Sequence, residues 1–302
     1  MDTLTNLKAF LAVARTGSFA AAARELKVAP SVVTKRIGQL EWRLKAGLFE
    51  RSTRRVGMTA TGLRYLASVQ RIVADVDELF AELPAMGRDL QGRLRIKAPG
   101  TLAVHLLGPL LERFQALHPL VSIELLTLDR PVNPVDEGFD VVLTLMPDAF
   151  AGVVEQPLCP MQRILCASPA YLEGKGTPAH PSDLARHDIL NFLPTGTQWT
   201  FEGAAGEVLV RVHPRLDTNE GQLLLSSALA GHGIARLGAY LCDRHVRAGA
   251  LVPLLPGYTI KPLWLRALVP DSRIQVARVQ ALVQWLKDAL EPAGTAGEPA
   301  QG

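Results

Sequence analysis

The sequence lacks the patterns that mark disulfide frameworks, metal centres and the common hydrolases and nucleotide-using enzymes. Its 302 residues include three cysteines, Cys159, Cys166 and Cys242. An odd number without CxxC spacing predicts neither a disulfide framework nor a zinc site, so we expect three buried free thiols. No GxSxG, HExxH or Walker pattern occurs, and Gly231-His232-Gly233 lacks the third glycine of a dinucleotide fingerprint. We therefore predict no catalytic residue, no metal and no cofactor, and a protein that is not an enzyme.

Long apolar runs are also missing. A helix that spans a membrane needs about 20 mostly apolar residues. The apolar run from Phe10 to Ala14 is short, Lys8 and Arg15 bracket it, and no secretory pattern follows. These absences predict a cytoplasmic protein without a membrane partner. The length and the 48% hydrophobic content indicate two or three domains with sizeable cores.

Charge is distributed unevenly along the chain. The net charge is only +3, but residues 1–58 hold eleven Lys or Arg against four Asp or Glu, which gives +7 there and −4 for the remainder. A basic segment joined to a mildly acidic one indicates a polyanionic partner, such as nucleic acid, for the first segment alone.

Two short helices with a tight break are predicted within residues 17–44. Ser18 can cap the first helix, and Pro30 suits the first turn of the second. Apolar residues recur at helical spacing on one face of each, namely Phe19, Ala22, Ala23 and Leu26, then Val33, Ile37, Leu40 and Leu44. The opposite face of the second helix carries Ser31, Lys35 and Gln39, flanked by Val32 and Thr34. Such a helix fits a DNA major groove, but an ordinary helical hairpin has the same periodicity.

A hairpin and a long helix follow. Residues 48–51 and 54–58 read as two strands around a turn, with Arg51, Arg54 and Arg55 near the tip as phosphate contacts or as solvated surface charges. From Thr59 the apolar residues follow a heptad rhythm, which predicts either a coiled-coil dimer seam or an amphipathic helix packed on its own domain. The proposed seam consists of Leu66, Val69, Val73, Val76 and Phe80. Pro84 should end or kink this helix near Leu83, and residues 86–91 are predicted to form a hinge.

The remaining chain alternates strand and helix patterns. Strands are predicted around residues 94–96, 121–125, 141–145, 163–167, 208–212, 234–235 and 263–269, with helices around 106–117, 220–230 and 276–286 and a short one after Ser168. A βαβα rhythm favours sheets covered by helices on both faces. The Gly-, Ala- and Pro-rich tail, residues 293–302, is predicted to be disordered.

The whole pattern resembles the LysR-type transcriptional regulators. GSFAAAARELKV at residues 17–28, LFER at 48–51, GRLRIKAP at 92–99, ASPAYL at 167–172 and AGHGIA at 230–235 carry the resemblance, in family order. It implies an α+β multidomain protein: a winged helix-turn-helix in residues 1–58, a dimerisation helix and hinge in 59–91, and an effector domain in 92–292. That domain would resemble periplasmic binding proteins, with one lobe of 92–160 plus 264–292 and another of 161–263.

The resemblance also implies partners and site residues. The partners would be promoter operator DNA, a small-molecule effector, further copies of the chain in a homodimer or homotetramer, and RNA polymerase. Many family members carry Ser-Gln where this chain has Ala29-Pro30. The expected DNA contacts are Ser31, Val32, Thr34, Lys35, Arg36, Arg51, Arg54 and Arg55.

A cleft between the lobes would hold the effector, expected to be a small anion or an aromatic acid, because helix N-termini facing a cleft suit an anion. Thr101, Ser168, Thr218 and Asn219 stand at predicted helix starts, where each is equally explained as a cap. His232 and Gly233 could approach the same opening, although a histidine between glycines is more often an exposed loop residue. Gln198 and Trp199 are placed in a loop lining it. The alternatives are a transport-type solute receptor and an architectural DNA-binding protein.

Overall fold

The structure is a computed structural model that describes residues 2–51, 56–82, 90–146 and 148–290. The described residues divide into two compact units: an N-terminal unit of the residues before Leu90 together with Val135–Gly138, and a C-terminal unit of Leu90–Pro134 and the residues from Phe139 onward. None of the described helices is long and apolar enough to cross a membrane. Pro84, the hinge up to Asp89, Arg54, Arg55 and the tail from residue 293 lie outside the described residues.

The N-terminal unit consists of three helices, a two-stranded hairpin and a fourth, long helix. The helices are α1 (Thr3–Thr16), α2 (Phe19–Glu25), α3 (Pro30–Leu44) and α4 (Ala60–Glu82), and the antiparallel hairpin is β1 (Phe49–Arg51) with β2 (Val56–Met58). Ser18 caps α2 by accepting a hydrogen bond from the backbone N–H of Ala21 (3.3 Å), and Pro30 occupies the first turn of α3. The predicted helix-turn-helix and wing are confirmed.

Helix α4 contributes to the core of its own unit. Val69 and Val73 are only 6% and 8% exposed and pack in one cluster with Phe10, Val33 and residues of α1, and Leu66 packs against that cluster. The prediction that Val69 and Val73 form a dimer seam is therefore wrong for these two residues, because a side chain already buried in its own chain is not free to pack against a symmetry mate. Val76 is half-buried, and the side chain of Phe80 lies outside the described residues.

The C-terminal unit contains two five-stranded mixed sheets. The first has the order β4-β3-β5-β15-β6, and the second has the order β11-β8-β12-β7-β13. A third, three-stranded antiparallel sheet has the order β10-β9-β14. Its strands come from chain segments that interrupt or follow the strands of the second sheet. The strands are β3 (Gln91–Ala98), β4 (Leu120–Thr127), β5 (Val141–Thr144), β6 (Val153–Met161), β7 (Arg163–Ala167), β8 (Ile189–Phe192), β9 (Gln198–Gly203), β10 (Gly206–Arg211), β11 (Pro214–Thr218), β12 (Ile234–Gly238), β13 (Val252–Pro253), β14 (Tyr258–Thr259) and β15 (Leu263–Pro270).

Helices cover these sheets. They are α5 (Gly100–Leu102), which continues through a π-helical turn (Ala103–Leu107) into α6 (Gly108–Leu117), then α8 (Pro169–Lys175), α9 (Gly221–Leu229), α10 (Ala239–Arg247) and α11 (Ala277–Leu290), whereas the short helix α7 (Pro134–Glu137) belongs, from Val135 on, to the N-terminal unit. Apolar residues of α6 and α11 pack on the first sheet, and those of α9 and α10 pack on the second. The predicted sheets with covering helices are confirmed, and so is the prediction that all three cysteines are free and buried.

One predicted loop is a strand. Gln198 and Trp199 begin β9, where Gln198 is exposed and Trp199 is completely buried. The indole N–H of Trp199 donates to the side-chain oxygen of Asn191 (3.1 Å), itself buried. Trp199 is thus part of a core, and the prediction that these two residues lie in a loop is wrong.

Candidate DNA-reading face and effector cleft

The outer face of α3 presents short polar and basic side chains. Ser31, Thr34 and Lys35 are exposed, while Val32 and Arg36 are half-buried. The Thr34 hydroxyl donates to the carbonyl of Pro30 (3.2 Å), and Lys35 pairs with no carboxylate in the described part of the chain. This face therefore carries an unneutralised ammonium beside small hydroxyl groups.

Polar contacts fix α3 against α1. The Asn6 side-chain amide donates to that of Gln39 (3.2 Å), and Arg43 donates to the Thr3 hydroxyl (2.9 Å). Gln39, predicted to point away from the core, is therefore tied to α1. Hydrogen bonds from Thr5 lower the pKa of Asp2 most strongly, and the positive charge of Arg36 adds to the effect. These contacts set the orientation of the helix that carries Lys35.

The wing is anchored to the same helix. A carboxylate oxygen of Glu41 accepts hydrogen bonds from the backbone N–H groups of Leu48 (2.7 Å) and Phe49 (3.3 Å). Gly62 lies so close that a Cβ atom there would stand 2.3 Å from the carbonyl oxygen of Leu48, which explains why only glycine fits. Arg51 is the last residue of β1, but its side chain lies outside the described residues. Arg54 and Arg55 lie outside them altogether.

A cleft in the C-terminal unit is lined by residues that flank both five-stranded sheets. Its wall is mainly apolar and includes Leu102, Leu145, Met161, Phe192, Tyr240 and Leu263, and its polar lining includes Thr101, Asp129, Arg163, Thr195, Asn219 and Arg236. A concave, mostly apolar surface with a few convergent polar groups is typical of a small-molecule site.

Two guanidinium groups share this cleft. Arg236 is 7% exposed, lies over the ring of Trp199 (4.5 Å to the centroid) and donates to the Thr195 hydroxyl (2.9 Å). Arg163 donates from Nε and Nη2 to the carbonyl of Lys261 (3.1 and 2.5 Å). Neither forms an ion pair with a carboxylate of the described residues. Burial, with the like charge of Arg163, lowers the pKa of Arg236 to about 9. Arg236 is buried and Arg163 is half-buried. A buried cation without a counter-ion is unfavourable, which Arg236 illustrates.

The helix starts at the cleft are occupied by carboxylates of the chain itself. An oxygen of Glu220 accepts hydrogen bonds from the Thr101 hydroxyl and from the N–H of Gln222 (2.9 Å), so the cap of α9 is Glu220 rather than Thr218 or Asn219. Asp129 accepts from the N–H of Gly100 (3.2 Å), at the start of α5. The donors expected to bind an anion here are already bound.

The structure separates the residues predicted to bind the effector. Thr101 and Asn219 line the cleft, and the Asn219 amide donates to the carbonyl of Asp129 (3.3 Å). Thr218, outside the lining, accepts from the N–H of Glu220 (3.2 Å). Ser168, also outside it, is buried and caps α8 by accepting from the N–H of Tyr171 (3.4 Å).

Four further residues do not line the cleft. Gln198 and Trp199 belong to β9, and His232 is an exposed turn residue. Gly233 approaches backbone rather than the cleft, since a Cβ there would lie 2.4 Å from the carbonyl oxygen of Asp188. Sequence reasoning missed Arg163, Arg236 and Glu220. An arginine inside the apolar run of residues 234–238 was a usable signal for Arg236, because arginine is rarely buried in a strand.

Comparisons with known proteins decide the family. The model of the bacterial regulatory helix-turn-helix protein, lysR family, matches residues 4–63, and that of the LysR substrate binding domain matches residues 87–291. The chain belongs to the LysR family of transcriptional regulators. As a member it is a DNA-binding transcription regulator with a substrate-binding domain, and its relatives are regulators rather than enzymes.

Relatives match the LysR-family chain over nearly its whole length. The uncharacterized HTH-type transcriptional regulator YhjC of Escherichia coli K12 is 32% identical and aligns over 96% of this chain and 99% of its own. The HTH-type transcriptional regulator DmlR of the same strain is 32% identical, with coverages of 95% and 94%. The structure of CrgA, a LysR-type transcriptional regulator from Neisseria meningitidis, superposes with a TM-score of 0.62 at 28% identity, covering 95% of this chain and 99% of that one. These matches span both the helix-turn-helix and the C-terminal unit that holds the cleft.

Proposed function

We propose that this LysR-family regulator recognises a pseudo-palindromic promoter operator through α3, and that a small molecule in the cleft changes the geometry of the DNA complex. The observation that supports DNA reading is the exposed face of α3, with Ser31, Thr34 and Lys35 on a helix whose other side is buried. A helix of this kind is the reading element of helix-turn-helix proteins.

The DNA contacts divide into two groups. Ser31, Val32, Thr34 and Lys35 are proposed to meet base edges, where the amine of Lys35 can donate to guanine and Val32 can contact a thymine methyl. Arg36 and the wing arginines Arg51, Arg54 and Arg55 are proposed to hold phosphates, which supplies affinity without sequence choice.

We propose that the regulator acts as a homodimer or homotetramer, with RNA polymerase as a further partner. Tyr65 and Ile72 of α4 are 36% and 45% exposed and stand seven residues apart, which places them on one face of the helix. This face, rather than the buried valines, supports a seam between two copies of α4, because an apolar stripe repeated every seven residues is the pattern of a coiled coil.

We propose a small anion or an aromatic acid as the effector. The support is the pair of cleft arginines without a carboxylate partner among the described residues, set in an apolar wall that includes Phe192 and Tyr240. An organic acid would supply the missing negative charge and cover the apolar surface.

A salt titration of DNA binding tests the reading helix. Lys35→Ala should lower the affinity for a selected operator and bring it towards the affinity for random DNA, since a lost base contact costs about 1–3 kcal/mol. Lys261→Ala is a control of equal charge change in the C-terminal unit, and it should leave the ratio of the two affinities unchanged. Equal loss on operator and random DNA for Lys35→Ala would show that Lys35 contacts phosphate only.

A further inference from the structure

The cleft has a second charged feature, opposite in sign to its arginines. Besides the oxygens that accept hydrogen bonds, Asp129 and Glu220 each have a second carboxylate oxygen, Oδ2 and Oε2. A Cβ atom placed on Gly100 would lie 3.6 Å from each of these two oxygens, so both face one point above Gly100. No described residue donates a hydrogen bond to either oxygen. Two carboxylate oxygens that face one point attract a cationic donor.

We infer that the cleft binds a zwitterion, an amino acid whose carboxylate meets Arg163 and Arg236 and whose ammonium meets Asp129 and Glu220. This inference rests on the proposed effector function and specifies its chemical class. An acid with a second carboxylate is disfavoured, because the backbone N–H groups of Gly100 and Gln222 already donate to the carboxylates of the chain.

Each end of the site contributes separately. Arg236 is more than nine-tenths buried, and Thr195 is its hydrogen-bond acceptor among the described residues, so most of its N–H groups remain available to a ligand. At the other end, Glu220 connects Thr101 of α5 with Gln222 of α9. An ammonium bound to Glu220 would therefore contact the point where the two halves of the cleft are joined.

Four five-carbon probes separate the two charges. Norvaline and 5-aminovalerate carry both groups at different spacings, valerate carries only the carboxylate, and pentylamine carries only the ammonium. With the full chain at constant ionic strength, calorimetric titration should show that one zwitterion binds about tenfold or more tightly than valerate and pentylamine, since a charge-assisted hydrogen bond contributes that much. Equal affinity for valerate, or no binding by any probe, would overturn the inference.

Isosteric variants test the acidic end. Glu220→Gln keeps an oxygen that accepts from Gln222 and Thr101 but removes the charge. It should weaken the binding of the preferred zwitterion and strengthen that of valerate, whereas a purely structural role would weaken both. Unchanged zwitterion affinity in this variant would contradict the assignment.

The arginine end has an equally specific signature. Arg236→Gln should abolish the rise in melting temperature given by the zwitterion, while the melting temperature without ligand stays equal or rises, because a buried cation without a counter-ion is removed. Arg211→Gln, at an exposed position of β10, is the control and should retain the ligand response. A full ligand response in Arg236→Gln would overturn the inference.

A measurement of operator binding in the absence of ligand distinguishes a failure of this inference from a failure of the proposed function. Selective operator binding together with no preference for zwitterions would refute only the effector class. A chain without any operator preference would instead refute the proposed regulator function.

Discussion

Replacing Val73 by alanine tests whether α4 is held by its own domain or by a partner. Val73 is 8% exposed and packs in the cluster that contains Phe10 and Val33. The substitution removes two carbons that are almost completely buried, which costs about 1.6 kcal/mol in transfer free energy at about 0.8 kcal/mol per carbon. The cavity left behind adds to this cost, so we expect the free energy of unfolding of the N-terminal unit to fall by about 2–3 kcal/mol.

The assay should follow the N-terminal unit alone, because a chain of two units need not unfold in one step. Hydrogen exchange of the α1 amides, resolved by peptide mass spectrometry, reports the opening of that unit. Ile72→Ala is the matched control on the neighbouring position of the same helix, where the side chain is 45% exposed. Its expected loss is about 1 kcal/mol when the protein is dilute, because the three carbons removed are only about half buried.

Protein concentration distinguishes the two explanations. If Val73 belongs to the core of its own chain, the loss caused by Val73→Ala is the same at every concentration, because no partner is involved. A loss smaller than about 0.5 kcal/mol, or one that grows with protein concentration, would refute the core assignment and return Val73 to the dimer seam.

Two further predictions concern the wing and the second sheet of the effector domain. Gly62→Ala places a Cβ 2.3 Å from the Leu48 carbonyl oxygen, so it should lower the free energy of unfolding by about 1–3 kcal/mol and weaken binding to all DNA sequences. Gly57→Ala is the control, because a Cβ there has no atom within 4 Å, and it should have neither effect. Equal melting temperatures for the two variants would contradict this prediction. The Tyr171 hydroxyl accepts from the N–H of Asp188 (2.9 Å) and shares a hydrogen bond with Nδ1 of His187 (3.1 Å), and burial lowers the pKa of this histidine below its usual 6.5. The unfolded chain then binds more protons than the folded chain, so the free energy of unfolding should fall as the pH drops below 6.5 and through the pKa of the folded state. His187→Gln should reduce the slope of this pH dependence. Identical pH profiles for the variant and the unmodified chain would refute the reasoning.

Local signals in the sequence predicted α2 and α3 well. Ser18 and Pro30 mark the starts of α2 and α3 by capping chemistry, and the apolar stripe through Val33 and Ile37 identifies the buried face. These features depend on residues a few positions apart, so periodicity reports them directly. The partner of the α4 stripe could not be predicted, because Val69 and Val73 follow the same rhythm whether they face α1 or another copy of the chain.

The cleft was less predictable, because it assembles residues distant in sequence. Thr101 and Glu220 stand 119 positions apart and are joined by a hydrogen bond that no sequence spacing encodes. The rule that helix starts bind anions selected Thr101 and Asn219, which line the cleft, but missed that Glu220 and Asp129 accept hydrogen bonds from the N–H groups there. The strand that contains Trp199 was not predicted, because β9 pairs mainly with its neighbour β10, a contact that depends on the tertiary fold.

The central claim is that the LysR-family chain reads an operator through two α3 helices. Selection of DNA from a random library tests this claim most directly. The account predicts enrichment of a pseudo-palindrome whose half-sites lie about 10 base pairs apart or a multiple of that spacing, as two helices of a symmetric dimer require. Under the same selection, Lys35→Ala should lose the enrichment while retaining salt-sensitive binding to random DNA. Recovery of no common sequence by the unmodified chain, or of the same sequence with equal enrichment by Lys35→Ala, would contradict the account.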